Sequence, residues 1–238
     1  EMAIEKDRVN QYCLKRSEKL INFVNPDTFM PFAGFYMLCG RLSHLNHKKA
    51  NLHPFEALKF YEQNMPTLVR DRKCLILNNG ESYCLKTKKQ SRPYQHYTSD
   101  ELNAFIESNR GVKFPYEEFE TILDVEEFLH LFDECYSRME KHRKQFNFSS
   151  NTVVAIALPQ NHYLILSFNG SGYRITSDFN LSTGFITMEM DYRLLKSLLK
   201  GPRYAHWDNA DHGSHISYRK VPNIYEKGIY HLMCYFHI

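Results

Sequence analysis

Hydrophobic spacing divides the chain into a stretch that alternates at helical period, a mixed centre, and a stretch where the period drops to two. Residues 4–24 read as one amphipathic helix with Ile4, Val9, Tyr12, Cys13, Leu20 and Phe23 on a buried side, closed by Asn25-Pro26-Asp27. Thr28 to Phe35 (TFMPFAGF) reads as a short apolar strand. Pro31 lacks an N–H and so keeps that strand at a sheet edge, and Ala33-Gly34 permits a close backbone approach. Pro54 to Asn64 predicts a short helix, and Cys74 to Leu85 a hairpin turning at Asn79-Gly80. Lys86 to Thr98 has the composition of a linker and takes the main boundary.

The strongest helix pattern begins at Asp124, where Asp124 and Glu127 suit a capping box. Phe128, Leu131, Phe132, Cys135 and Met139 follow at helical spacing, with acidic residues at the start and basic ones at the end, as the macrodipole favours. Period-two strands are then expected at Thr152–Leu158, Tyr163–Phe168, Tyr173–Ser177 and Gly184–Glu189, forming a meander. Asp191 caps a leucine-rich helix that Gly201-Pro202 stops; Ile216–Arg219 adds a strand and Tyr225–Phe236 a closing helix. The expected class is α+β, in three parts: 1–65, a hairpin and linker at 66–98, and an accessory α+β domain at 99–238.

Composition narrows the function less than the pattern narrows the fold. With 238 residues, 43% hydrophobic and 24% charged, the chain is long enough for a buried core. A net charge of +3 from thirty basic and twenty-seven acidic residues is too balanced for a nucleic-acid surface. Sixteen tyrosines and seventeen phenylalanines suit packed strands, and also stacking on sugars or bases. Six cysteines without a CxxC pair point to reduced thiols and a cytoplasmic setting. No apolar run approaches the roughly eighteen residues of a membrane span. The charged start carries no signal peptide, and entry on helical spacing without Met points to a piece of a longer protein.

Candidate chemistry concentrates in Leu199 to Arg219. His206, Asp208, Asp211, His212 and His215 give H-x-D-x-x-D-H-x-x-H, sound ligands for zinc, iron or manganese; the favoured reading is nonetheless a turn in which Trp207 plugs the core and the polar residues cap backbone groups, with no metal here. Cys234 and His237 form C-x-x-H, half of a Rieske pattern whose other half is missing. His44, Asn46 and His47 lie on a polar loop beyond the first apolar strand, where substrate contacts are common.

Two stretches carry a resemblance. Met30 to Asn46 (MPFAGFYMLCGRLSHLN) and Leu198 to Tyr225 (LLKGPRYAHWDNADHGSHISYRKVPNIY), with Arg219, Pro222 and Tyr225 as R-x-P-x-x-Y, resemble late parts of metallo-β-lactamase-fold sugar-nucleotide hydroxylases, the CMP-N-acetylneuraminate and UDP-N-acetylmuramate hydroxylase group. The resemblance implies that residues 1–65 end an αββα domain and that the zinc or iron ligands lie N-terminal to this chain. The chain itself then holds no cofactor and is inactive alone. The implied partners are that N-terminal portion and a nucleotide-sugar or glycan precursor, oxidised or hydrolysed, with His44 and Asn46 facing the substrate. The second half is also similar to the sterol-carrier-protein fold, which leaves open a non-catalytic module with an apolar pocket lined by Leu194, Leu198 and Trp207.

Overall fold

The computed structural model describes residues 2–32, 35–50, 52–178 and 184–238. The chain forms two compact units, 1–112 and 113–238. The division thus falls after Val112, beyond the Lys86–Thr98 stretch.

The first unit runs α1 (Met2–Val24), β1 (Thr28–Phe29), a 3-10 segment at Gly40–Lys48, α2 (Pro54–Asn64), α3 (Pro66–Asp71), β2 (Lys73–Cys74), β3 (Tyr83–Cys84), β4 (Lys89–Gln90) and α4 (Ser99–Ser108). The first helix forms as expected, but on a different face. Leu14 is buried and Ile21 packs beside it against Ala57, Tyr61 and Leu68, while Ile4, Tyr12, Leu20 and Phe23 are exposed. A helix with one small packing partner buries a single narrow stripe, here the pair two turns apart.

The strand expected over Thr28–Phe35 ends after Phe29, which pairs in parallel with Cys74. Met30 and Pro31 follow without pairing, and Ala33-Gly34 lies outside the described residues. Gly80 makes the expected turn at φ +77, yet the two arms beside it do not pair with each other. Cys74 is taken by β1, and β3 pairs antiparallel with β4, inside the stretch expected to be a linker. The helix that follows has a complete capping box, Thr98 with Glu101.

The second unit runs α5 (Glu126–Gln145), β5 (Ser150–Ala157), β6 (Tyr163–Phe168), β7 (Tyr173–Thr176), β8 (Phe185–Glu189), α6 (Tyr192–Leu199), α7 (Trp207–His212), β9 (Ser217–Val221) and α8 (Lys227–Met233). Its sheet has the order β7-β6-β5-β8-β9. The expected meander holds only for β5 to β7; β8 returns to the other side of β5 and pairs with it in parallel. The mixed sheet makes β5 central, which matches the consecutive buried run Val154-Ala155-Ile156.

Helix α5 lays Phe128, Phe132, Cys135 and Met139, all inaccessible, onto the core that also takes Val154, Ile156, Leu164 and Leu166. It begins two residues after Asp124, whose carboxylate accepts from Glu126 N at 3.1 Å. The expected capping box with Glu127 does not form, because the Glu127 carboxylate instead meets the Lys196 ammonium. From α6, Leu194, Leu195, Leu198 and Leu199 are buried, and Gly201 stops the helix at φ +98, a conformation that favours glycine.

The chain end closes this core. Ile238 N donates to Leu199 O at 2.8 Å, and Trp207 Nε1 donates to Phe236 O at 2.9 Å. Both Trp207 and Phe236 are buried. Trp207→Phe leaves the Phe236 carbonyl without its donor and opens a void, so a loss of about 2–3 kcal/mol is expected. Urea unfolding followed by far-UV circular dichroism measures it as a lower midpoint at unchanged slope.

Candidate functional site

Asp191 holds the start of α6. Its Oδ1 accepts from Arg193 N at 3.0 Å and caps α6, while its carboxylate also grips the Arg193 guanidinium through Nε (2.9 Å) and Nη2 (2.7 Å). The remaining guanidinium nitrogen, Nη1, donates to Glu117 O at 3.0 Å. One arginine therefore ties the 3-10 turn Pro115–Glu118 to the start of α6, in the bidentate geometry guanidinium favours. The carboxylate beside it raises the Arg193 pKa further, so the clamp stays charged throughout the working range.

Between this turn and α6 lies a groove. One section, about 430 Å³, is walled by Phe119, Ile122, Lys196, Lys200 and Tyr204; a second, about 300 Å³, by Phe114, Tyr116, His206, Asn209 and His215. They share Phe119, Ser197 and Tyr204. Phe114 and Tyr116 stack at 5.7 Å, His215 meets Phe114 edge-on at 4.6 Å, and His215 Nδ1 lies 2.9 Å from the Tyr116 hydroxyl. Tyr204 and Phe119 stay largely exposed. The Lys200 ammonium stands 5.7 Å from the Tyr204 ring. Flat apolar rings beside ammonium groups suit a ligand with a ring and an anionic group.

The candidate metal residues are spread by the helix they sit on. His206 is the N-cap of α7, its Nδ1 accepting from Asp208 N at 3.2 Å. His212 Nδ1 lies 2.8 Å from Asp208 O, and that bond first, then the charges of Asp208 and Asp211, raises its pKa. His215 turns back to Tyr116. Among the described residues no three His, Cys, Asp or Glu side chains gather to hold a metal. The spacing H-x-D-x-x-D-H-x-x-H here forms a cap, a helix turn and a return, and the five side chains do not gather as one ligand set. The C-x-x-H pair is likewise otherwise engaged: Cys234 Sγ donates to Tyr230 O and His237 Nδ1 lies 2.7 Å from Ile238 O.

The loop residues expected to face substrate have internal duties. Asn46 Oδ1 accepts from Leu38 N at 2.9 Å, and its Nδ2 donates to Leu38 O and Ser43 O, each at 2.8 Å. That side chain locks the 3-10 segment. His44 is exposed, with Nδ1 2.8 Å from Arg41 O, and His47 repeats the pattern on His44 O. Leu194, Leu198 and Trp207, expected to line an apolar pocket, lie in the buried core; Leu194 also reaches the edge of the groove and Trp207 lines a separate small cavity.

Sequence reading missed an imidazole cluster in the first unit. His53 caps α2, Nδ1 accepting from Phe55 N at 3.2 Å, and packs on Phe35 at 4.7 Å and His96 at 5.2 Å. Burial, then His96, lowers its pKa. No family model, curated protein or solved structure matches this chain. No helix of the described residues is long and apolar enough to cross a membrane.

Two outcomes follow from these assignments. Asn46→Ala is expected to cost about 1–3 kcal/mol, because it orphans backbone groups, whereas His44→Ala stays within about 0.5 kcal/mol; paired thermal melts separate them. Protonated His53 cannot accept from Phe55 N, and the unfolded chain binds that proton at higher pH than the folded one. The His53 contribution is thus fully present above the ordinary histidine value of about 6.5 and declines as pH falls through it. Melting from pH 8 to 5.5 reads this as a falling midpoint, and His53→Asn, which still caps, flattens the dependence.

Proposed function

We propose that this chain is the substrate-shaping part of a metal-dependent enzyme acting on a nucleotide sugar or glycan precursor, and that its own role is binding rather than bond-breaking. Residues 1–65 complete a metallo-β-lactamase-like domain in this reading, the second unit is a sterol-carrier-like accessory module, and the metal is held by chain N-terminal to Glu1. The resemblance of Met30–Asn46 and Leu198–Tyr225 motivates the assignment. The observation that carries the binding role is the groove along α6, with Tyr204 and Phe119 exposed on its wall and Lys196 and Lys200 beside them.

The chemistry of that wall suits such a ligand. A sugar ring or base gains from the exposed aromatic faces, a stacking contact worth about 1–3 kcal/mol per base. Phosphate oxygens accept from the lysine ammonium groups, and Ser197, Asn209 and His206 supply further hydrogen-bonding groups at the second section. Lys196 is paired with the Glu127 carboxylate, which lines the same groove together with Glu120, and Lys200 has the more open position. Oxidation or hydrolysis then belongs to the metal-bearing part, and this groove sets which precursor is presented to it.

Isothermal titration of the full chain with a UDP-sugar and with UMP tests the reading. Saturable binding is expected, weakened about tenfold or more by Tyr204→Ala and again by Lys200→Ala. Absence of binding at millimolar ligand, or binding indifferent to both substitutions, would sink it. Preference for a fatty acid over either nucleotide would favour an apolar-ligand module instead.

A further inference from the structure

Helix α7 has two working faces. His206, Asn209 and Ala210 look onto the groove just described, whereas Trp207, Asp208, Asp211 and His212 line a separate cavity of about 120 Å³. That spacing is the helical repeat itself, with residues three and four apart sharing a side. The second cavity is floored by Met188 and Tyr218 and closed by Tyr225, Tyr230 and Cys234. It has less than half the volume of either groove section.

Its walls combine rings and negative charge. Tyr218 and Tyr230 stand 5.7 Å apart at 54°, and Tyr225 and Tyr230 4.7 Å apart at 31°. The Asp211 carboxylate lies beside the Tyr218 hydroxyl and near Tyr230; burial first, then that carboxylate, raises both phenol pKa values, Tyr230 to about 12. Among the described residues Asp211 forms no ion pair, and the buried Tyr230 hydroxyl has no hydrogen-bond partner. Asp211 takes a hydrogen bond from the Tyr218 hydroxyl, and next to it the Tyr230 hydroxyl has no partner; a small cation that donates would engage Tyr230 and stand beside the Asp211 charge.

Lys220 from β9 places its ammonium 5.8 Å from Tyr225 and 5.7 Å from Tyr230, without lining the cavity. The other charged groups at the cavity are Asp208, which pairs with His212 at 3.4 Å, and His212 itself. The balance inside is therefore negative.

We propose that the cavity between α7, α8 and β9 is a binding site for a small organic ammonium group, held over Tyr225 and Tyr230 by cation–π attraction and by the Asp211 carboxylate. An N–H on the ligand donates to Asp211 and to the Tyr230 oxygen, and methyl groups fill the faces of the rings. This site stands independently of the nucleotide-sugar reading, since the groove lies across α7 and uses other side chains.

Trp207, the only tryptophan, lines the cavity and reports on it directly. Titration of the full chain with tetramethylammonium chloride and methylammonium chloride should change its fluorescence saturably, while tert-butanol and equal ionic strength of sodium chloride should not. Asp211→Asn is expected to weaken the response about tenfold, in line with loss of a charge-assisted contact. Tyr225→Ala, at an exposed tyrosine, should weaken it about threefold or more. An unsaturable response, an equal response to tert-butanol, or an affinity unchanged in both folded variants overturns the proposal. Loss of nucleotide binding alone, with the ammonium response intact, concerns the groove and not this cavity.

Discussion

The indole of Trp207 is the fixed point on which the second unit depends. Its N–H reaches Phe236 O and its ring lies in the core, so one side chain ties α7 to the last residues of the chain. Those residues are in turn held at Leu199 O by Ile238 N, so the end of α6, the start of α7 and the C-terminus converge. A short helix such as α7 has little intrinsic stability. Its orientation is set by what it buries, and that orientation decides which polar residues look into which cavity.

A second constraint, the Asp191–Arg193 clamp, works in the same way on the other side of α6. It spends a carboxylate and a guanidinium on holding a 3-10 turn by its backbone. Because an arginine fork is planar and multidentate, the turn is fixed in distance and in orientation. Phe114, Tyr116 and His215 stack into a wall whose inner ring, Tyr116, belongs to the same core as the leucines of α6.

Several elements were legible in the chain. Leucines at 194, 195, 198 and 199 between Asp191 and Gly201 specify a capped helix with one buried side, and that is how α6 is built. The apolar stripe Phe128 to Met139 fixed the buried side of α5 in the same manner. Where the reading failed, a competing partner had taken the residue. Glu127 suited a capping box and went to Lys196; Cys74 suited a hairpin and went to Phe29; the lysine-rich stretch at Lys89-Gln90 suited a linker and paired with Tyr83-Cys84. In the first unit, α1 has so small a neighbour that its apolar residues outnumber the places to bury them, so periodicity alone could not choose the side.

What the sequence determined by itself is the α+β character, the position of the strong helices and strands in the second unit, and Trp207 as a core anchor. Those follow from local periodicity and local caps, which are properties of neighbours in the chain. Strand order, the parallel return of β8 onto β5, and the fate of each polar side chain were decided only in three dimensions. His206 to His215 shows why. Linear spacing crowds these ligands together, but a helix turn divides them between two faces, so the apparent metal motif becomes caps, one wall of a groove and one wall of a tyrosine-lined cavity.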